Sequence, residues 1–284
     1  MTQLNPLAVH PDPGSIRTGL EARRLFRDAK TDPFTQTTGM ALGYMQASPI
    51  ILPGDLALDF TAFCQRNPKP CPLVAMSNRG SPTLPTLGGD LDLRTDLAGY
   101  RIWRDGELVD EVTDISELWR EDFVAFAVGC SYSFENALLS DGIELRHITE
   151  EACVPMYMTD IALEPSGPFA GRMCVSMRPL KARDAIRAIE ITSRFPTTHG
   201  TPVHIGDPRQ IGIENLDEPL AGDPVEVRDG ELCVFWGCGI TPQYAMLQAK
   251  PEIAITHIPG CLLMTDVPSR GDAMDLPNLP NLAA

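Results

Sequence analysis

Basic residues are scarce in this sequence. Lys and Arg number 23 against 38 Asp and Glu, which leaves a formal charge of −15 over 284 residues. So acidic a chain repels polyanions, so nucleic acid and anionic membrane surfaces are poor partners. A small anion is still acceptable, because a few local cations can bind it on an acidic background. Long apolar runs are absent. No stretch approaches the roughly 18–20 residues of a membrane span. Residues 1–12 have neither a basic start nor an apolar core, so no export signal is expected there. There is no CxxC pair, no Walker A motif and no complete GxGxxG, which leaves nucleotide binding weakly supported.

What is present reads as a globular protein. Hydrophobic residues make up 43%, charged residues 21%, and mean hydropathy is −0.07. The length fits one large domain or two modest ones. With 23 Gly and 26 Pro, the chain should be rich in ordered turns. Eight cysteines sit mostly in apolar segments, which suits reduced thiols in a cytoplasmic protein.

The pattern predicts helices over 15–30, with Ser15 as cap, and over 56–66, stopped by Asn67-Pro68. Strands are expected at 73–76 and 123–129, and a hairpin at 100–112 around Asp105-Gly106. Strand 123–129 runs through Gly129-Cys130 into a helix from Phe134 capped by Ser133. The segment 233–249 repeats this: strand, Gly237-Cys238, then a helix with Thr241 as cap and Pro242 as its first residue. The echo suggests parallel strands with helices on the sheet faces and ligands beyond the strand ends. Between the two units, 155–161 and 173–177 read as strands. An amphipathic helix follows over 181–195, with Ala185, Ile189 and Ile191 inward. The fold class is therefore α/β with mixed α+β elements. Residues 14–150 plus 205–267 form a discontinuous core, 151–204 an inserted smaller β-β-α subdomain, and 1–13 and 268–284 tails.

Candidate chemistry concentrates in five segments. Cys64–Cys71 displays Arg66, Asn67 and Lys69 among prolines, a rigid setting for a carboxylate clamp or a solvated surface loop. Arg94 and Asp96 orient a ligand or pair with each other on a surface, the second being the better fit. Gly129–Asn136 carries Cys130, two hydroxyls and Glu135 at a strand-to-helix turn, where backbone N–H groups stabilise negative charge and lower a thiol pKa. His199 and His204, with Asp207, fit general-base or hydrogen-bonding roles better than a metal site, for which His257 and Cys261 would have to complete the ligands. In Trp236–Gln243, Gly237 and Gly239 allow close backbone approach beside Cys238, with Thr241 and Gln243 as polar contacts.

Taken together, FCQRNPKPCPL (63–73), DLRTDLAGYRIWRDGEL (92–108), VGCSYSFENAL (128–138), VPMYMT (154–159), VSMRP (175–179), ITSRFPTTHGTPVHIGDP (191–208), VFWGCGITPQ (234–243) and AITHIPG (254–260) carry a resemblance. The chain resembles the bacterial hydro-lyases of the D-glutamate cyclase family over about residues 15–267. The resemblance implies a cytosolic enzyme of two-part α/β architecture. The implied reaction converts D-glutamate to 5-oxo-D-proline and water, filed as a carbon–oxygen lyase, with neither metal nor organic cofactor. It supplies no residue roles. Two positions depart from the family pattern: Ser48 replaces Asn and Cys261 replaces His. Either would shift substrate choice if its side chain touches substrate.

Lactam closure itself sets requirements. Two substrate carboxylates need a cation, for which Arg66, Lys69, Arg146 and Arg178 are candidates. The ammonium must lose a proton to a base, for which His204, His199 and Glu135 are candidates. The oxyanion needs donors, which the turns at 130–135 and 238–243 offer. The leading expectation is a cofactor-independent cyclase or lyase for a small acidic amino acid, in a homo-oligomer as is usual for such enzymes. Competing expectations are a racemase-like enzyme using Cys130 and Cys238, a non-catalytic carboxylate-binding or regulatory protein, and a metal-dependent hydrolase.

Overall fold

The computed structural model describes residues 12–28 and 33–271. Most of the two expected tails, including His10, lies outside the described residues. In chain order the elements are α1 (Gly19–Arg27), β1 (Tyr44–Pro53), α2 (Ala57–Arg66), β2 (Leu73–Met76), β3 (Tyr100–Arg104), β4 (Glu107–Val112), β5 (Phe123–Gly129) and α3 (Tyr132–Ser140). There follow α4 (Arg146–Thr149), β6 (Met156–Ala162), β7 (Arg172–Lys181), α5 (Ala182–Thr192), β8 (His204–Ile205), β9 (Glu231–Gly237), α6 (Thr241–Ala249), β10 (Ala254–His257) and β11 (Leu263–Pro268). The class is mixed α/β, built on two sheets. No helix among the described residues is long and apolar enough to cross a membrane.

The first sheet has the order β2-β5-β1-β10-β3-β4, with β11 also paired to β1. The second has the order β6-β7-β9-β8. Every ladder in both is antiparallel, which corrects the expected parallel arrangement. A strand-turn-helix pattern reads the same whichever way the neighbouring strand runs, so the local signal could not decide direction. The second sheet draws its strands from residues 156–237, so β9 stands outside the 151–204 stretch expected for the insert.

The two sheets repeat one plan. In each, a long strand runs into a helix (β1 to α2, β7 to α5), a short edge strand follows (β2, β8), and a third strand returns between them (β5, β9). The registers correspond as well: Gly129 lies opposite Ala47, and Gly237 opposite Val175. Helices α2 and α6 help fill a shared apolar core between the sheets. Phe60, Phe63, Phe126 and Phe169 pack there with Met177, Phe235 and Met246. Ring centroids 4.7 Å apart for Phe60–Phe126 and 5.2 Å for Phe60–Phe169 show close aromatic contact.

Local expectations shift at the ends of elements. Helix α1 starts later than predicted. Thr18, not Ser15, caps it in a reciprocal capping box with Glu21, while Pro13–Ser15 form a separate 3-10 turn. In α5 the inward face is Ala185, Ala188, Ile191 and Thr192, whereas Ile189 is exposed. The hairpin β3–β4 does turn at Asp105-Gly106, where both residues have positive φ (50° and 87°), as a type I′ turn needs. Arg94 pairs with Asp92 rather than Asp96. Asp96 is instead buried and bonded by Arg27 from α1, which ties that helix to the loop before β3.

Candidate active site

Strands β5 and β9 end in equivalent turns. Each passes through glycine and cysteine, then two residues, then a hydroxyl residue in the first turn of a helix. The amide of Cys130 donates to the Gln46 carbonyl on β1, and that of Cys238 to the Cys174 carbonyl on β7. The hydroxyls complete the match. Ser133 Oγ accepts from Gln46 N at 2.9 Å and donates to Gln46 O at 3.2 Å. Thr241 Oγ1 accepts from Cys174 N at 3.0 Å and donates to Cys174 O at 3.1 Å. Contrary to the sequence-based expectation, neither hydroxyl caps its own helix. Each instead ties the helix to the neighbouring strand, and the preceding residues, Ser131 and Ile240, stand at the caps without a side-chain bond.

This arrangement leaves several backbone donors without an oxygen acceptor. Among the described residues, no carbonyl or side-chain oxygen accepts the N–H groups of Ser131, Tyr132, Gly239 or Ile240. Those of Tyr132 and of Gly239 and Ile240 face the Cys130 and Cys238 thiols respectively. N–H groups at a helix start that lack an oxygen acceptor are an anion-binding feature, and here two such turns meet at one place.

They meet at a small cavity lined by Ser48, Cys130, Ser131, Tyr132, Cys238, Gly239, Ile240 and His257, with Val154, Met156, Gly260 and Leu262 completing the wall. Its water-accessible volume is about 20 Å³, room for about one water molecule. Burial drives both thiol pKa values up, that of Cys238 to about 11, although the backbone donors and Arg178 oppose the rise. Both cysteines are therefore protonated at neutral pH. His257 is also neutral there. Burial lowers its pKa to about 3, and Gln243 Nε2 lies 3.0 Å from its Nδ1.

Glycine is required at this seam. A Cβ on Gly129 would lie 1.9 Å from the Thr197 carbonyl oxygen, and one on Gly239 would lie 2.3 Å from Ser48 Oγ. The loop 196–200 wedges between the strand ends. His199 stands in it at φ 79° with its Nδ1 3.0 Å from the Lys69 carbonyl, and burial lowers its pKa to about 4.

Behind the cavity lies a buried charged cluster. Glu135 Oε1 accepts from Arg178 Nη2 and Nε and lies 2.9 Å from His147 Nε2. Arg178 also reaches Ser131 Oγ and Ser176 Oγ, both at 3.1 Å, and stacks over Phe134 and Trp236. Burial opposes the Glu135 charge, but His147 and Arg178 outweigh it and hold the carboxyl below its usual range.

The sequence candidates thus separate. Cys130 and Cys238 line the cavity, and Gln243 braces its histidine. Glu135 and Arg178 stand one layer back. Thr241 fastens a helix. The remaining candidates serve other contacts. Arg66 bonds the Pro165 carbonyl at the surface, Asn67 bridges α2 to the Glu164 backbone, and Lys69 donates to Thr201. Arg146 is ion-paired with Glu231, and His204 Nε2 lies 2.9 Å from the Asp207 carbonyl. None of these five lines the cavity. Among the described residues no group of three or more His, Cys, Asp or Glu side chains could hold a metal ion. Sequence reasoning gave no role to Tyr132 or His147, and named His257 only as a metal ligand. Of the two departures from the family pattern, Ser48 lines the cavity, whereas Cys261 is buried with its thiol donating to the Phe34 carbonyl.

Comparison with known proteins now bears on identity. The family model for D-glutamate cyclase matches residues 124–266, which span both Gly-Cys turns. A protein of Bordetella petrii named "Putative hydro-lyase" is 57% identical over 231 residues, covering 81% of this chain and 88% of its own. One of the same name from Rhizobium johnstonii is 58% identical over 234 residues, covering 82% and 87%. A third, from Rhodopseudomonas palustris strain HaA2, is 55% identical over 250 residues, covering 88% and 91%. Among solved structures, a nitrogen repressor-like protein of Methanococcus jannaschii aligns with 87% of this chain and 98% of its own. Its identity is 11% and its TM-score 0.37, too weak a likeness to carry an argument. Relatives more than half identical over four-fifths of its length establish that the chain belongs to the D-glutamate cyclase family, whose bacterial members bear the hydro-lyase name.

Proposed function

We propose that the chain is a carbon–oxygen lyase of the cyclase type, closing D-glutamate to 5-oxo-D-proline with loss of water at the Cys130–Cys238 cavity. The observation that carries this reading is the meeting of two uncapped helix N-termini, each with a thiol, in one buried space. In the reaction the α-amine nitrogen attacks the side-chain carboxyl carbon, a C–N bond forms, and a C–O bond breaks to release water. The tetrahedral intermediate carries an oxyanion, and the N–H groups at 131–132 and 239–240, three of which face the thiols, are the donors for it. A thiol kept protonated by burial is the acid that protonates the departing hydroxyl. His257 is the base in the same cavity: it takes the proton of the ammonium and returns it to the thiolate. The charge of a bound dicarboxylate raises its low pKa toward the working range. No step uses a metal or organic cofactor, and activity in protein shown metal-free by elemental analysis tests that point.

The test is turnover of D-glutamate, L-glutamate and both 5-oxoprolines, read by chiral chromatography. Expected is conversion of one enantiomer, reduced at least 100-fold in Cys130→Ser or Cys238→Ser. Conversion unchanged in both variants refutes the site. A thermal shift with these compounds but no turnover favours the binding-protein reading instead.

One observation favours a second reading. The two thiols occupy equivalent positions in the two repeated sheets, so they approach a bound Cα from different halves of the fold. That suits proton removal by one, as the thiolate formed when His257 takes its proton, and delivery by the other. Deuterium from solvent at Cα of recovered substrate distinguishes this racemase-like chemistry from lactam closure, which leaves Cα untouched.

A further inference from the structure

The thiol cavity, at about 20 Å³, is too small for a five-carbon amino acid. A second cavity adjoins it. Its water-accessible volume is about 280 Å³, near the ~300 Å³ at which small-molecule sites begin. Ile240 lines both spaces. Gln243 lines the larger one and braces His257 of the smaller one.

Two polar groups in the larger cavity have unused capacity. Arg101, on β3, spends its Nε on Glu111 Oε1 at 2.8 Å. Among the described residues nothing engages its two terminal nitrogens. Those nitrogens form the edge that grips a carboxylate through two parallel hydrogen bonds. Gln243 is 3% exposed. Its amide nitrogen faces His257, and its oxygen has no protein donor among the described residues. That oxygen opens to the cavity, where a ligand's ammonium can donate to it. Tyr244 and Trp103 give the cavity its apolar walls.

We propose that this cavity is the binding site for an acidic α-amino acid. Arg101 holds one carboxylate, Gln243 Oε1 takes the ammonium, and Ile240 is the partition that shifts to admit the reacting carbonyl to the thiol turns. The proposal rests on the reading above for its substrate class. It supplies the cation that none of Arg66, Lys69, Arg146 and Arg178 provides. It also explains how an acidic protein attracts an acidic ligand: the cation is confined to one recess.

The test pairs binding with turnover in Arg101→Met, Arg101→Lys and Leu220→Trp. Leu220 is 40% exposed on the cavity lining, so tryptophan there narrows the space without disturbing the core. Calorimetry uses D-glutamate and 5-oxo-D-proline on wild-type protein and on Cys130→Ser, whose turnover, reduced at least 100-fold, adds little heat. Expected is a 10–100-fold weaker dissociation constant for D-glutamate in Arg101→Met, with Arg101→Lys in between. Where turnover is measurable, KM rises by the same factor and kcat stays within about threefold. Leu220→Trp weakens both ligands. If wild-type protein binds D-glutamate without converting it and Arg101→Met abolishes binding, the cavity assignment stands and the cyclase reading falls. If Arg101→Met and Leu220→Trp, with unchanged melting temperatures, bind as wild type does, the cavity assignment falls. It falls as well if wild-type protein binds neither compound.

Discussion

Replacing Glu135 with glutamine should cost this protein a large share of its stability, although the side chain keeps its shape. Glu135 and Arg178 side chains are each 1% exposed, and His147 is 2% exposed. One carboxylate oxygen, Oε1, serves both partners, while Oε2 is buried with no hydrogen-bond partner. A glutamine can keep one acceptor at the Oε1 position. Its NH2 group then occupies the Oε2 position, where nothing accepts its hydrogens, and the guanidinium is left as a buried charge without a counter-ion. Breaking a buried pair in this way costs about 3–5 kcal/mol. For a chain of this size that corresponds to a fall in melting temperature of roughly 5–8 °C. Circular dichroism melts and urea titrations at pH 7 measure it. Adding Arg178→Met to Glu135→Gln should return at least half of the loss, because the unpaired charge is then gone. The carboxyl is held below its usual range, so its contribution is complete above the unfolded pKa of about 4.3. It is lost as pH falls through the folded value, so the wild-type advantage should persist at pH 5.5. A Glu135→Gln protein melting within 2 °C of wild type would refute the view that this cluster is a stabilising brace behind the cavity.

Three other outcomes follow from the same geometry. Gly129→Ala should be destabilised beyond the ~1–3 kcal/mol usual for overpacking, because its Cβ meets a backbone carbonyl at 1.9 Å; Gly237→Ala, with its nearest contact at 3.0 Å, should fall within that range. Equal urea midpoints for the two variants would count against that ranking. His199 and His257 are held neutral with pKa values of about 4 and 3, against about 6.5 unfolded. Their stabilisation is complete above pH 6.5 and is lost as pH falls toward the folded values, so wild type should lose about 4 kcal/mol between pH 8 and pH 5. His257→Gln should flatten that slope by about half, and an unchanged slope would remove His257 from the argument. All eight cysteines are buried and free. Ellman's reagent at pH 8 should therefore find almost no reactive thiol in native protein and eight in guanidinium; rapid labelling of two thiols in the native state would mean the cavity opens readily.

Part of the fold was legible residue by residue. Strands at 73–76 and 123–129 fall where the apolar runs end in turn residues, and Asp105-Gly106 announces its hairpin because only that turn type suits two successive positive φ values. Strand β11 was missed because its apolar run abuts a segment that reads as a tail. The start of α1 was misplaced because Ser15 and Thr18 are equally good caps until Glu21 closes the box with one of them. The site was legible only in its most local part. Cys130 and Cys238 stood out because glycine, cysteine and a following hydroxyl occur together at two strand-to-helix turns. Arg101 gave no such signal. It sits in a hairpin strand as an ordinary alternating cation, and only β3 lying beside β10 brings it near Gln243 and His257.

The sequence by itself determined most of the strands and helices, the two Gly-Cys turns and the family. Those features depend on neighbours a few residues away, or on a pattern long enough to be recognised. The tertiary structure alone decided strand direction, the meeting of the two turns at one cavity, and the sorting of cations into those that brace and the one that faces a recess. Each depends on contacts between residues far apart in the chain, such as Gly129 with Thr197 and Gly237 with Lys69. No local preference encodes such contacts, because they exist only once both sheets have packed.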